Sequence, residues 1–168
     1  MKTLNLCDFK VGEMSKFMDL RDIIACILNE CSDNSLTNCV VLKIIREASL
    51  LATECRMLNG KNKNNAAFIS PKALAIKEEG RELKNLTLEH GVPVSVIRDE
   101  VLKLVKPSAL DVASVIYQLT ALAVITNEED SRINKLGLRS QMPPNWNGNK
   151  WIRYQLANID LIDNPYKK

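Results

Sequence analysis

The chain has 168 residues, a length that suits one domain and can bury a core without disulfides or a structural metal. Hydrophobic residues make up 46% and charged residues 26%, the balance of an ordinary soluble globular protein. With 23 basic and 20 acidic residues the formal net charge is +3, so the overall charge does not by itself indicate a nucleic-acid-binding protein.

The cysteines and the apolar segments indicate the cellular compartment in which the protein is expected. The cysteines form no C-x-x-C pair and their spacing fits no zinc motif, so we expect reduced thiols in a cytoplasmic protein. No signal peptide is visible, and the longest uncharged run, 112–127, is too short to span a bilayer. We therefore expect no membrane association. The five cysteines are Cys7, Cys26, Cys31, Cys39 and Cys55.

The first part of the chain is predicted to be helical. Apolar residues at helical spacing indicate a helix over 20–31 and a longer one over 36–58, which ends at Gly60. The apolar stripe of the longer helix nearly follows a heptad. It therefore needs a partner helix, either within the chain or in a homodimer or protein complex.

The middle of the chain combines a basic loop, a short helix and a short strand. The loop over 61–65 is either a solvated turn or an arm that contacts phosphates. Ser70 and Pro71 predict a helix that runs to about Glu79, with Ser70 as its N-cap. The alternation of polar and apolar residues over 85–88 predicts a short strand that carries His90 at its end.

The second half is predicted to contain further helices over 93–104 and 109–119, and an apolar strand over 122–126. Asn127 is predicted to cap a helix that stops at Gly137. Three acids in the first turn of that helix are stabilising there without any further role. The turn-rich segment 139–168, which holds both tryptophans, is predicted to pack on a mainly helical core formed by 1–138.

These elements predict a single, mainly α domain with a small β-hairpin, an α+β fold. If the two strands pair, the end of the first strand comes next to the acidic helix. His90 is the only histidine of the chain and follows Glu89 directly. Histidine is the side chain best suited to general base catalysis near neutral pH. The pair is equally explained as a turn in which His90 hydrogen-bonds to the backbone.

The segment Glu89-His90-Gly91-Val92-Pro93 resembles the opening motif of HNH (ββα-metal) endonucleases, which often reads acid-His-aliphatic-x-Pro. The resemblance implies that Glu89 ligates a divalent cation, Mg²⁺ or Mn²⁺, and that His90 is the general base. It also implies a further ligand on the helix after the second strand. Because the chain has no second histidine, that ligand would be Glu129, Asp130 or Asn134.

The resemblance thus leads us to expect a small metal-dependent nuclease, active or degenerate. From the general character of the chain we expect a bacterial or phage setting. Two other functions are open. The chain is a non-enzymatic helical adaptor or inhibitor that binds a protein through the 36–58 helix and the aromatic tail, or an accessory protein that binds nucleic acid without cleaving it. The accessory protein would use Lys61, Lys63 and Lys150.

Overall fold

The computed structural model describes residues 11–30, 34–53, 56–57, 60–61, 63–80 and 83–167. The helices within these ranges are α1 (Val11–Glu30), α2 (Asn34–Ala52), α3 (Pro71–Glu78), α4 (Val94–Leu102), α5 (Ala109–Leu119), α6 (Asn127–Lys135) and α7 (Ile152–Leu156). The strands are β1 (Arg56–Met57), β2 (Gly60–Lys61), β3 (Phe68–Ile69), β4 (Leu86–His90), β5 (Leu122–Thr126) and β6 (Ile162–Asp163). The predicted α+β class, mainly α with a small sheet, is confirmed.

A helical layer formed by α1, α2, α4 and α5 contains the largest buried cluster. Ile24, Val41, Ile45, Ile97 and Ile116 are fully buried in it. The apolar stripe of α2 is therefore covered within the chain, as the first of the two alternatives predicted. Burial of such side chains stabilises the fold by roughly 1.5–3 kcal/mol each.

The second helix is shorter than predicted. The sequence pattern extends it to residue 58 with a stop at Gly60, whereas α2 ends at Ala52 and Gly60 lies in β2. The hydroxyl of Thr53 donates to the carbonyl of Ser49 at 2.9 Å, and the chain then turns into the β1–β2 hairpin. Apolar residues after position 53 kept the helical spacing in sequence, so spacing alone did not reveal the break. Cys55 and Leu58 lie outside the described residues.

The sheet has the order β4-β5-β3-β6 and is larger than the predicted hairpin. β4 pairs antiparallel with β5, in the register Leu86 to Thr126 and His90 to Leu122. The strand pairing on which the functional hypothesis depends is thus confirmed. β3 adds a parallel neighbour to β5, and β6 pairs antiparallel with β3. Each of these two strands has two residues, too few to show an alternating pattern.

The helix starts follow the predicted capping residues with one correction. Ser70 caps α3 by accepting from the backbone N–H of Ala73. At α6 the N-cap is Thr126, not Asn127, because the Thr126 hydroxyl accepts from the N–H of Glu129 at 3.1 Å. The Glu129 carboxylate accepts from the N–H of Thr126 at 2.9 Å and completes a capping box.

The described part of the segment 139–168 contacts the sheet. Trp151 meets the ring of Phe68 edge to face with centroids 4.8 Å apart. Tyr154 is 1% exposed, and β6 forms the edge of the sheet beside β3. Within the described ranges, no helix combines the length and apolar character that a membrane span requires.

Candidate functional site

The end of β4 and the first turns of α6 form one wall of a cavity of about 440 Å³. The antiparallel register brings Glu89 opposite Ala123, and α6 begins directly after β5. The helix therefore starts beside the strand that carries the Glu-His pair. Among the residues that line the cavity are Glu89, His90, Asp130 and Asn134, together with the arginines Arg46 and Arg139.

Glu89 is held by a buried arginine. The Arg153 side chain is fully buried, and its Nη2 donates to Oε1 of Glu89 at 3.0 Å. Its Nη1 donates to the carbonyl of His90 at 2.6 Å, and the hydroxyl of Tyr154 donates to the carbonyl of Glu89 at 3.2 Å. A single guanidinium thus fixes both the carboxylate and the backbone at the end of the strand.

The electrostatics at Glu89 are dominated by burial. Removal from water raises the pKa of the Glu89 carboxyl above its ordinary 4.5, and the Arg153 charge offsets part of this rise. The neighbouring Asp130 carboxylate raises the pKa further through charge repulsion. Both acids line the same cavity.

The raised pKa has a consequence for stability against pH. Because the folded state holds the Glu89 proton more tightly than the unfolded chain, its contribution is fully present below pH 4.5 and is lost as pH rises through the raised pKa. We expect the free energy of unfolding of the wild type, relative to Glu89→Gln, to fall as pH increases over that window. Urea unfolding of both proteins at a series of pH values measures this difference. If the wild type instead became more stable relative to Glu89→Gln as pH rises, the Arg153 charge would have a larger effect on the Glu89 pKa than burial has.

Asp130 and Asn134 lie one helical turn apart on α6 and both face the cavity. The Asn134 side-chain nitrogen donates to Oδ2 of Asp130 at 3.1 Å. The pair provides two oxygen-bearing groups next to Glu89, which is the chemistry that hard divalent cations bind.

The imidazole of His90 contacts the opposite wall, on α2. Its Nε2 lies 2.9 Å from Oγ of Ser49, a residue that is fully buried. The Ser49 hydroxyl also lies in position to donate to the carbonyl of Arg46 at 2.9 Å. In the ring tautomer that carries its proton on Nε2, Nε2 donates to Ser49 and Nδ1 is the basic nitrogen that a general base needs.

Gly91 departs from the HNH-like pattern, which usually has an aliphatic residue at this position, and its surroundings explain why. Its N–H donates to the carbonyl of Ala121 at 2.7 Å. A Cβ at this position would lie 2.6 Å from the carbonyl oxygen of Lys150 and 3.2 Å from Cβ of Ala121. The chain around Lys150 passes so close that only glycine fits.

Glu129, one of the predicted cation ligands, does not line this cavity. Its carboxylate is 3% exposed and accepts from the hydroxyl of Ser70 at 2.6 Å as well as from the backbone of Thr126. Arg132 pairs with it at 3.7 Å. The structure therefore gives Glu129 a place in the capping box of α6 and in the contact with α3.

Of the three lysines predicted for nucleic-acid contact, two have described side chains, and these make separate contacts. Lys63 donates through Nζ to the carbonyl of Leu86, at the start of β4. Lys150 donates to the carbonyl of Thr120 and lines a different cavity. The side chain of Lys61 lies outside the described residues.

The arginines of the site were missed by sequence reasoning. Arg153 stands in an aromatic stretch between Trp151 and Tyr154, and such a buried cation requires a charged partner. Nothing in the local pattern names that partner, which lies 64 residues earlier. Arg46 lies on α2, away from its apolar stripe, where a solvated charge is the ordinary expectation.

Within the described ranges, no three side chains of His, Cys, Asp or Glu converge as a preformed metal cluster. Comparison with known proteins adds no further indication. No protein-family model matches the chain, and no curated protein or solved structure is significantly similar to it.

Proposed function

We propose that the chain is a metal-dependent phosphodiester hydrolase of the HNH-like kind that acts on nucleic acid. The observation that carries the proposal is the common cavity of Glu89, His90, Asp130 and Asn134. The resemblance of residues 89–93 implies the same arrangement. It places an acid and a histidine at a strand end, next to a helix that carries oxygen ligands.

The donor groups suit Mg²⁺ or Mn²⁺. Mg²⁺ is commonly held by one or two carboxylates, with waters and substrate phosphates completing its coordination. Glu89, Asp130 and the amide oxygen of Asn134 would hold such a cation, while Arg153 keeps Glu89 oriented through Oε1. A bound cation would supply charge neutralisation at the phosphate.

The residues of the chain account for the remaining chemistry. Nδ1 of His90 removes a proton from the attacking water, whose oxygen forms the new bond to phosphorus. The bond from phosphorus to the leaving oxygen breaks, and that oxygen takes a proton from solvent. Arg46 and Arg139 line the same cavity and provide positive charge for the substrate phosphates.

The direct test is cleavage of plasmid DNA and of RNA by the purified protein, with Mg²⁺, with Mn²⁺ and with chelator. We expect cleavage only when the cation is present. Intact substrates under every metal condition would contradict the hydrolase proposal.

Asp130→Asn is expected to weaken cation binding and slow cleavage by about 10- to 100-fold, because it removes one of two carboxylate charges. Calorimetric titration with Mn²⁺ and the cleavage rate measure the two effects. Glu128→Gln is the matched control, since Glu128 lies on the same helix, is exposed and does not line this cavity. Equal behaviour of the two variants would exclude Asp130 as a ligand.

A specific observation favours a second candidate, a non-cleaving nucleic-acid-binding protein. Arg153 already neutralises Glu89, so the acid has a charge partner without any cation. Arg46 and Arg139 would then bind phosphate at the cavity without hydrolysis. Salt-dependent binding of DNA or RNA, reduced in an Arg46→Met, Arg139→Met double variant and without cleavage, distinguishes this function.

A further inference from the structure

A second cavity of about 280 Å³ lies where the ends of α2 and α5 meet the sheet and the C-terminal segment. It shares no lining residue with the cavity of Glu89 and His90. Its volume is just below the usual range for ligand pockets, about 300–1,000 Å³. The residues that give it chemical character are Phe68, Tyr117, Thr120, Lys150, Trp151 and Lys167.

Lys150 brings a half-buried positive charge to this cavity. Its Nζ donates to the carbonyl of Thr120 at 3.3 Å, and burial lowers the pKa of the ammonium below its ordinary 10.5. In the described part of the chain no carboxylate pairs with it or lines the cavity. Lys167 adds a second ammonium group to the lining. Among the described residues, the lining therefore carries two positive charges and no negative one.

Thr120, another residue of the lining, contains a buried polar atom without a partner in the described ranges. The residue is 6% exposed, and its hydroxyl oxygen is buried without a hydrogen-bond partner among the described residues. Buried hydroxyl groups are almost always hydrogen-bonded, because an unpaired one costs free energy.

Aromatic rings supply the remaining surface. The Trp151 ring meets Phe68 with centroids 4.8 Å apart, and both residues are partly exposed. Tyr117, which is 39% exposed, lies in the lining as well. Aromatic faces next to ammonium groups favour a flat ring that carries an anion.

We propose that this cavity binds a nucleoside monophosphate group, with the phosphate at Lys150 and Lys167 and the base against the aromatic rings. Two ammonium groups suit a phosphate, whose charge near neutral pH is about −1.5 to −2. The group is either a free mononucleotide or the terminal nucleotide of a single strand. The proposal is independent of hydrolysis at Glu89 and His90, because the two cavities have separate linings.

The test uses adenosine 5′-monophosphate and adenosine as probes, measured by calorimetry on the full chain without metal. We expect Lys150→Met to weaken binding of the monophosphate about tenfold or more, since a charge-assisted hydrogen bond is lost. Adenosine should bind about tenfold more weakly than the monophosphate for the same reason. Lys135→Met, at an exposed lysine of α6 outside both linings, should leave affinity unchanged.

A second variant guards against a folding defect at position 150. Lys167 is exposed, so Lys167→Met should fold normally and still weaken binding of the monophosphate severalfold. Absence of binding to the wild type, or equal affinity in the lysine variants and Lys135→Met, would overturn the proposal.

A competition experiment distinguishes the two sources of the nucleotide. A short single-stranded DNA with a 5′-phosphate is titrated against bound adenosine monophosphate. If the strand displaces the mononucleotide with higher affinity, the cavity receives strand ends. If the strand fails to compete, the ligand is the free mononucleotide.

Discussion

Arg153→Met is expected to lower the free energy of unfolding by about 3–5 kcal/mol, the usual cost of removing one partner from a buried ion pair. Arg153 is fully buried and donates to the Glu89 carboxylate and to the carbonyls of His90 and Arg139. The variant leaves these acceptors without their donor and leaves the Glu89 charge uncompensated. Urea unfolding followed by circular dichroism measures the loss.

The matched control is Arg139→Met, at an exposed arginine, which should change stability by less than about 0.5 kcal/mol. Adding Glu89→Gln to Arg153→Met should restore part of the loss, because the unpaired charge is then removed. The single variant should also raise the pKa of the Glu89 carboxyl further, since the Arg153 charge holds it down. A destabilisation no larger than that of the control would show that Arg153 is not essential to the strand end.

His90→Ala is expected to slow metal-dependent phosphodiester cleavage by about 10²- to 10⁴-fold, the usual contribution of a general base. The variant removes the group that takes the proton from water but leaves Glu89, Asp130 and Asn134 in place. Initial rates on plasmid DNA with saturating Mg²⁺ measure the effect.

Ser49→Ala separates the chemical role of His90 from its position. It removes the partner of Nε2 and keeps the imidazole, so we expect a smaller loss of rate than in His90→Ala. Exogenous imidazole should restore part of the rate of His90→Ala and none of that of Ser49→Ala. Cleavage by His90→Ala at the wild-type rate would exclude His90 as the base.

Capping residues and apolar spacing were sufficient to predict most helices and the strands β4 and β5. Ser70 and Ser108 begin their helices as capping residues, and the apolar, β-branched stretch 122–126 forms β5. Apolar periodicity failed at the end of α2, because the helical spacing of apolar residues continues in the sequence beyond the helix. The stripe that predicted a helix to residue 58 continued past Ala52, where α2 ends.

Part of the candidate site could be predicted from the sequence and part could not. The strand pairing that alternation and β-propensity indicated places the start of α6 beside Leu86, at the other end of β4 from His90. Asp130 and Glu89 line one cavity because α6 packs along β4, which the sequence pattern did not show. Glu129 could not be told from Asp130 in sequence, since both stand in the first turn of α6. Side-chain direction on the helix separates them, because Asp130 reaches the cavity and Glu129 turns to Ser70.

The long separation along the chain between Glu89 and Arg153 affects the order in which the protein matures. Synthesis proceeds from the N-terminus, so the strand with Glu89 leaves the ribosome 64 residues before its counter-charge. Until Arg153 emerges, burial of the end of β4 would leave the Glu89 carboxylate in an apolar environment without a positive partner. The Glu89 site therefore cannot be completed before the segment that carries Arg153 has been synthesised.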